Sequence, residues 1–334
     1  MPDTFYFALE VTVNGLMAGV MYALVALGFV LIFKASGIFN FAQGVMALFA
    51  AMTFVGIQNG QIPFAHLINA ILGTNIHYFG WKLHSILAIV LTVVVMILLA
   101  WAVQRFIFRY LVGQEPIILF MATIGLAYLL EGVADLMWGA DIKKVDVCLA
   151  EGTCLPQGIN AAIDEATFNL FGYGFFIDNL DITATIVAAI LVAALVAFSQ
   201  YTKQGRAMRA VADDHQAALS VGVSLNYIWI LVWSVAGFVA LVAGLMWGAK
   251  SGVQFSLSLI ALKALPVLML GGFTSIPGAI VGGLIIGMGE KLFEFFIGSA
   301  IGGATENWFA YVLALIFLVF RPQGLFGEKI IERV

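Results

Sequence analysis

Long runs without any charged side chain divide this chain. No Asp, Glu, Lys or Arg occurs between Glu10 and Lys34, or between Asp214 and Lys250. A helix that crosses a bilayer needs about 20 apolar residues, and each of these runs is longer than that. Only 10% of the 334 residues are charged and 63% are apolar, whereas a soluble domain has about a quarter charged residues. The chain is therefore predicted to cross a membrane several times.

The apolar runs resolve into nine candidate membrane segments. They lie at 11–33, 38–58, 84–108, 117–138, 181–201, 227–248, 256–271, 278–297 and 306–320. The seventh and ninth are short, so eight full spans remain an alternative. The N-terminus lacks the basic region and cleavage site of a signal peptide, which favours a first span there. The pattern predicts an all-α, polytopic helical bundle that forms one membrane domain over residues 1–334.

Basic residues orient the bundle, because Lys and Arg are retained on the cytoplasmic side. With the N-terminus outside, nine basic residues fall in inner segments and four in outer ones, and the reverse orientation inverts that ratio. This orientation predicts an outer loop at 139–180 and a cytoplasmic loop at 202–226. Cys148 and Cys154 lie in the outer loop, where a disulfide and two free thiols are equally open.

Several function classes lack their sequence signals. Fifteen Lys and Arg against nineteen Asp and Glu leave no basic surplus for a nucleic-acid partner. No GxxxxGK[ST], GxSxG or HExxH stretch occurs, and the four histidines have no metal-ligand spacing. We expect no catalytic site, metal or cofactor on this chain.

An alanine-rich stretch in the cytoplasmic loop predicts a short amphipathic helix that ends at Gly222. Asp213 and Asp214 follow Arg206 and Arg209 closely, whereas a helix anchored at a lipid interface prefers a uniformly basic polar face. The mixed charge favours docking against another protein. An ordinary loop helix at the lipid interface is the alternative.

Four sequence blocks carry a resemblance to known transport proteins. Gln216-Ala217-Ala218 followed by Gly222 resembles the EAA-xxx-G pattern that ABC-importer permeases insert into a cleft of their ATPase subunit. The blocks 40–44, 205–214 and 262–279 resemble those of the high-affinity branched-chain amino-acid permeases, with Gln43 where that family usually has His. The chain therefore resembles this branch of the ABC importers over most of its length.

The resemblance implies a permease subunit, similar in fold to type I/II importer permeases, that carries branched-chain amino acids across the bacterial cytoplasmic membrane. It implies partner ATPase subunits that use ATP and Mg, a second related permease, and a periplasmic solute-binding protein. Urea, short-chain amides, aromatic acids and dicarboxylic acids remain alternative solutes. An ion-coupled secondary transporter and a non-transporting scaffold are the rival classes. The residues implied in coupling are Gly205, Arg206, Arg209, Asp213, Asp214, Gln216, Ala217, Ala218 and Gly222.

Polar residues within apolar segments are costly in a bilayer and tend to mark function. Lys263 and Glu290 are expected to face a water-filled path or to pair with each other, whereas Glu131 and Lys291 could equally extend to an interface. Asn40 could line the path or cap the second helix. The candidate path residues are Asn40, Gln43, Lys263, Thr274, Ser275 and Glu290.

Glycines crowd the stretch from 271 to 289. Gly278 and Gly282, like Gly283 and Gly287, have the small-xxx-small spacing that lets helix backbones approach closely. We expect this face to pack inside the bundle in preference to forming a dimer seam.

Overall fold

The computed structural model describes residues 2–73, 77–111, 113–145, 167–170, 173–176, 179–213 and 215–327. Its helices are α1 (Pro2–Ser36), α2 (Gln43–Gln58), α3 (Ala65–Leu72), α4 (Ser85–Phe106), α5 (Pro116–Trp138), α6 (Asn179–Tyr201), α7 (Lys203–Asp213), α8 (His215–Ser220), α9 (Leu225–Ser251), α10 (Ile260–Gly271), α11 (Ile276–Phe293) and α12 (Glu306–Phe320). Single turns of 3₁₀ helix lie at Phe108–Tyr110 and Phe255–Leu259, a π-helical turn at Glu294–Gly298, and one α-helical turn at Ser299–Ile301.

Each of the nine predicted segments contains a helix, so the helical membrane bundle is confirmed. Among the described residues, five helices are long and apolar enough to cross a bilayer, and a sixth span results if α10 and α11 count as one bent unit. Whether eight or nine segments cross stays a prediction. The described part of the loop at 139–180 adds one feature to the all-α scheme, an antiparallel hairpin of β1 (Thr167–Leu170) and β2 (Tyr173–Phe176).

Helix α2 begins five residues later than the sequence predicts. Gly37 adopts a positive φ of 68°, which stops α1, and residues 38–42 form a loop before α2 starts at Gln43. Almost every residue of α2 is buried. The core thus forms around α1, α2 and α9, while α4, α5 and α6 leave many large apolar side chains exposed on their outer faces, as helices in contact with lipid would.

Glycine faces join α1 to α11. A Cβ atom added to Gly15 would lie 2.9 Å from the carbonyl oxygen of Gly287, and one added to Gly19 would lie even closer to the carbonyl oxygen of Gly283. Only glycine lets these backbones approach so far. The spacing of Gly283 and Gly287 therefore serves packing within the bundle, as the sequence predicts.

Helices α10 and α11 form a sharply bent pair, with 113° between their axes. Gly272, with a φ of 103°, ends helix α10. The Ser275 hydroxyl caps α11 by accepting a hydrogen bond from the Gly278 amide at 3.0 Å. The chain after α12 returns to this break, where the Leu325 and Phe326 amides donate to the carbonyls of Leu270 and Gly271 at 2.8 and 3.1 Å. These bonds satisfy carbonyls that the end of α10 would otherwise leave unpaired.

Candidate functional site

An open cavity of about 830 Å³ lies among α1, α9, α10, α11 and α12. We term it the Lys263 cavity. Its polar lining consists mainly of Lys250, Lys263, Lys291 and Glu306, and Tyr22 and Trp247 form an aromatic wall. Charged groups among apolar helices are stable only when they are paired or reached by water, so their partners decide what the cavity can bind.

Lys263 and Glu290, two of the predicted path residues, form an ion pair across α10 and α11. The Lys263 Nζ lies 3.2 Å from Glu290 Oε1, with Glu290 only 2% exposed and Lys263 33% exposed. Tyr22 is a further hydrogen-bond partner of the Glu290 carboxylate, and its ring lies 5.7 Å from the Lys263 Nζ. Burying a charge is costly unless it is paired, and the contact with Glu290 holds Lys263 at the cavity wall.

Two further ion pairs border the same cavity. Lys250 binds both carboxylate oxygens of Asp181, at 2.6 and 2.8 Å, and joins α9 to α6. Lys291 binds Glu306 Oε1 at 2.7 Å and joins α11 to α12. From the sequence, Lys291 is expected either to face the path or to extend to an interface, and Asp181, Lys250 and Glu306 are not among the candidate path residues. The sequence shows that each of these residues is a charged side chain next to an apolar run. It does not show which of them form ion pairs, because the partners lie far apart in the chain.

Thr274 and Ser275, also predicted on the path, lie at the other end of α10. They line a second cavity of about 820 Å³ together with Lys34, Arg209 and Phe326. Helix α10 has twelve residues and is therefore about 18 Å long, and the two cavities lie at its opposite ends. The structure therefore groups Thr274 and Ser275 with Arg209, a predicted coupling residue, instead of with Lys263 and Glu290.

Asn40 and Gln43 are fully buried and bonded to their surroundings. The Asn40 amide donates to Gln43 Oε1 at 3.3 Å, and its side-chain oxygen accepts from the Ala42 amide at 3.2 Å. Gln43 donates to the Ala236 carbonyl at 3.4 Å, which ties α2 to α9. In this conformation neither residue lines either of the two cavities, so a place on the path stays a prediction for them.

The predicted coupling residues lie on α7, α8 and the turn that follows. Arg206, Arg209 and Asp213 are exposed on α7, and Gly205 is buried where α7 packs closely on the end of α6. Gln216 and Ala217 are exposed on α8, whereas Ala218 is buried. Asp214 lies outside the described residues.

Gly222 ends α8 through its backbone conformation. Its φ is 86°, the left-handed region, and the amides of Gly222 and Val223 donate to the carbonyls of Leu219 and Ala218 at 3.0 Å each. These two bonds form a Schellman motif, which requires this conformation at Gly222. A Cβ atom there would meet nothing within 4 Å, so the glycine is needed for the turn and not for space.

Two exposed apolar residues next to this turn were missed by the sequence analysis. Val221 is 80% exposed and Leu219 is also exposed. They form an apolar tip beyond the basic residues of α7. The sequence does contain a signal for these two residues. A helix of small residues is followed there by apolar residues and by a glycine that ends the helix.

The remaining predicted features concern cysteines and metals. Cys148 and Cys154 lie outside the described residues, so their pairing stays a prediction. Within the described ranges, no cluster of three or more His, Cys, Asp or Glu side chains could hold a metal ion.

Comparisons with known proteins agree with the motifs. A family model described as "Branched-chain amino acid transport system / permease component" matches residues 11–321. The chain is similar to the high-affinity branched-chain amino acid transport system permease protein BraD of Pseudomonas aeruginosa, at 27% identity over 100% of both chains. It is similar to LivH of Escherichia coli K12, named for the same role, at 25% identity over 100% of both chains. The solved structure of PsaBC from Streptococcus pneumoniae in complex with Fab matches at a TM-score of 0.46 and 17% identity, over 98% of each chain.

Proposed function

The chain belongs to the family of permease components of branched-chain amino acid transport systems, and from this premise we propose how its structure serves an ATP-binding-cassette importer. The observation that carries the function is the family match over residues 11–321, together with relatives aligned along their whole length. The protein is a multi-pass permease of the inner membrane. Branched-chain amino acids are its proposed solutes, because the relatives that match over the whole chain are named for them.

The proposed partners divide the work of transport. Separate ATPase subunits bind ATP and Mg and hydrolyse the nucleotide, while this chain catalyses no reaction. A second related permease forms the other half of the pore, and a periplasmic binding protein delivers solute to the outer face. This division is supported by the family match and by the absence of a phosphate-binding motif in the sequence.

The proposed ATPase contact is the surface formed by α7, α8 and the turn at Gly222. Its apolar tip, Leu219 and Val221, is exposed, and an exposed apolar side chain gains most from a partner's pocket. Arg206 and Arg209 on α7 add charges suited to the rim of that contact. Gly205 fixes α7 directly against α6, so a pull on this surface reaches a membrane helix.

The proposed solute path includes Lys263, which lines the Lys263 cavity, and its buried partner Glu290. Closure of the ATPase dimer would move the α7–α8 surface and shift the helices between outward-open and inward-open states, the alternating access of transporters. Thr274 and Ser275 line one cavity together with Arg209 of α7. We therefore propose that the turn at 272–275 belongs to the inner end of the path.

The test of this function is solute uptake by the reconstituted complex, with the Val221→Asp variant. A charge at an exposed position leaves the fold intact but opposes burial in a partner. We expect leucine uptake to require ATP and to fall about tenfold or more in Val221→Asp, with loss of the co-purified ATPase. Ile142→Asp is the matched control, since Ile142 is 69% exposed and lies after α5, far from α7 and α8 in the chain.

Two results would contradict the proposal. Uptake that collapses with an ionophore but persists without ATP would identify an ion-coupled transporter. Equal losses in Val221→Asp and Ile142→Asp would show that the apolar tip has no special role in binding the ATPase.

A further inference from the structure

We propose that the Lys263 cavity is a binding site for an α-amino acid zwitterion with an aliphatic side chain. In this site Lys263 binds the carboxylate, Glu306 binds the ammonium, and Tyr22 and Trp247 face the side chain. The inference rests on the proposed transport function and adds the residues by which the permease itself recognises its solute.

The charges around the cavity sum to zero. Each of its three lysines has one acidic partner, Asp181 for Lys250, Glu290 for Lys263 and Glu306 for Lys291. A dicarboxylate or a diamine would add unbalanced charge to such a site, whereas a zwitterion adds none. When the ion-pair partners are counted, the charged lining has no net charge, and this balance favours a solute with two opposite charges.

The ammonium group of Lys263 has more unused hydrogen-bond donors than that of Lys250. An ammonium group offers three donors, and Lys250 uses two of them on the two oxygens of Asp181. Lys263 makes one described side-chain bond, to Glu290 Oε1, and remains 33% exposed. Its free donors can take a solute carboxylate, and charge-assisted bonds of this kind are the strong ones.

Glu306 supplies the complementary acceptor. Only its Oε1 accepts a described side-chain bond, from Lys291 at 2.7 Å, and its side chain is one-third exposed at the cavity. A carboxylate has two oxygens and about four acceptor positions. The second oxygen can therefore accept from a solute ammonium while the first keeps Lys291.

Aromatic and aliphatic side chains form the rest of the cavity wall. The rings of Tyr22 and Trp247 stack with their centroids 5.7 Å apart and their planes at 22°, and the Trp247 indole N–H is used on the Met21 carbonyl at 3.4 Å. Met21, Leu259 and Ile260 extend the same wall. An aliphatic side chain would bury apolar surface here, in the usual manner of a small-molecule site.

The test is direct binding of radiolabelled L-leucine to the purified full chain in nanodiscs of phosphatidylglycerol. Isovalerate lacks the ammonium of leucine, isoamylamine lacks its carboxylate, and L-glutamate adds a carboxylate. We expect unlabelled leucine to compete at least about tenfold more strongly than any of the three, because each omits or unbalances one charged contact. Competition by isovalerate equal to that of leucine would overturn the role of Glu306.

The decisive variant is Lys263→Met/Glu290→Gln, which removes both charges together and leaves no buried charge unpaired. We expect it to fold and to bind leucine about tenfold or more weakly. Glu131→Gln is the control, because this carboxylate on α5 lines neither cavity, and it should bind as the wild type does. Unchanged binding in Lys263→Met/Glu290→Gln, or equal losses in both variants, would overturn the proposal.

Two other outcomes are separated by the same assay. A zwitterionic lipid is the rival occupant, and displacement of leucine by added phosphatidylethanolamine but not by L-isoleucine would identify the cavity as a lipid site and overturn the proposal. ATP-dependent uptake by the wild-type complex is measured in parallel. Intact uptake with no leucine binding at Lys263 would reject this site while leaving the proposed transport function standing.

Discussion

The hydroxyl of Tyr311 donates a 2.8 Å hydrogen bond to the backbone carbonyl of Leu262. In an α-helix that carbonyl would accept from the amide four residues later, but the residue there is Pro266, which has no N–H. A side chain of α12 thus completes the hydrogen bonding of α10 next to Lys263. Helix α10 is therefore stabilised in part by a side chain of another helix.

Replacing this hydroxyl should matter only while the proline is present. We expect Tyr311→Phe to lower the unfolding free energy by about 1 kcal/mol, the usual cost of a lost hydrogen bond. In the Pro266→Ala background an amide can supply the missing bond, and the same replacement should cost less. Thermal unfolding of the four variants in detergent measures this coupling, and additive effects would show that Tyr311 does not compensate for Pro266.

The glycine contact between α1 and α11 should not accept a methyl group. A Cβ atom on Gly19 would collide with the backbone of Gly283, and overpacking of this kind costs about 1–3 kcal/mol. We expect Gly19→Ala to lower the unfolding temperature and the yield of monodisperse protein. Gly125→Ala is the control, because a Cβ atom there meets nothing within 4 Å, and a similar loss in both variants would argue against a specific contact.

We expect Asn40 and Gln43 to contribute to the stability of the fold and not to the choice of solute. Asn40→Ala leaves the Ala42 amide and the Gln43 side chain without their present partner, and an unsatisfied buried group costs about 1–3 kcal/mol. We expect a lower unfolding temperature and an unchanged ranking of competing solutes in uptake by the protein that remains folded. A changed ranking at normal stability would return both residues to the solute path.

The turn at Gly222 should tolerate asparagine better than valine. Both substitutions fit the open space, but a β-branched residue in the left-handed region is strained by about 1–2 kcal/mol, and asparagine visits that region far more readily. We expect Gly222→Asn to retain most ATPase co-purification and Gly222→Val to lose it. Equal loss in both variants would indicate that the ATPase contacts Gly222 directly and leaves no room for a side chain.

Lys143 should make stability depend on alkaline pH. Burial lowers the pKa of Lys143 to about 8 from its usual 10.5, while the nearby Asp141 carboxylate opposes part of that shift. Between these two values the unfolded chain holds a proton that the folded chain has released, so the unfolding free energy rises with pH in this window. At lower pH the group is charged in both states and this gain is absent.

The comparison that checks this pH dependence is wild type against Lys143→Met. The Lys143 Nζ donates to Gln61 Oε1 and to the Trp138 carbonyl, both at 2.6 Å, so the variant loses contacts at every pH. We expect the difference in unfolding temperature to move in favour of the wild type from pH 8 to pH 10. A difference that stays constant over this range would contradict the lowered pKa.

Helix positions were readable from the sequence because they depend on local composition. Uncharged runs indicated all nine apolar helices, and the glycine spacing indicated close packing at Gly283 and Gly287. The start of α2 was predicted too early because apolar residues continue through the loop after Gly37. Composition cannot show such a stop, since the left-handed glycine turns the chain without changing its hydropathy.

The candidate site was only partly readable, because its parts come from distant segments. The sequence indicated Lys263 and Glu290 as costly charges and allowed for their pairing. It could not place Tyr22 against Trp247, which lie more than 200 residues apart, or separate Thr274 from Lys263, which are eleven residues apart. Such relationships follow from how the helices cross, and one sequence does not carry that information.

The segment that follows α12 is bound to the bent pair of helices α10 and α11. Its two backbone bonds, from Leu325 to Leu270 and from Phe326 to Gly271, fasten it to the end of α10. Any displacement of the break at 272–275 must therefore carry this segment along as one body. Gln323 is exposed and lines neither cavity. A spectroscopic label on this residue would report the motion of the bent pair α10 and α11.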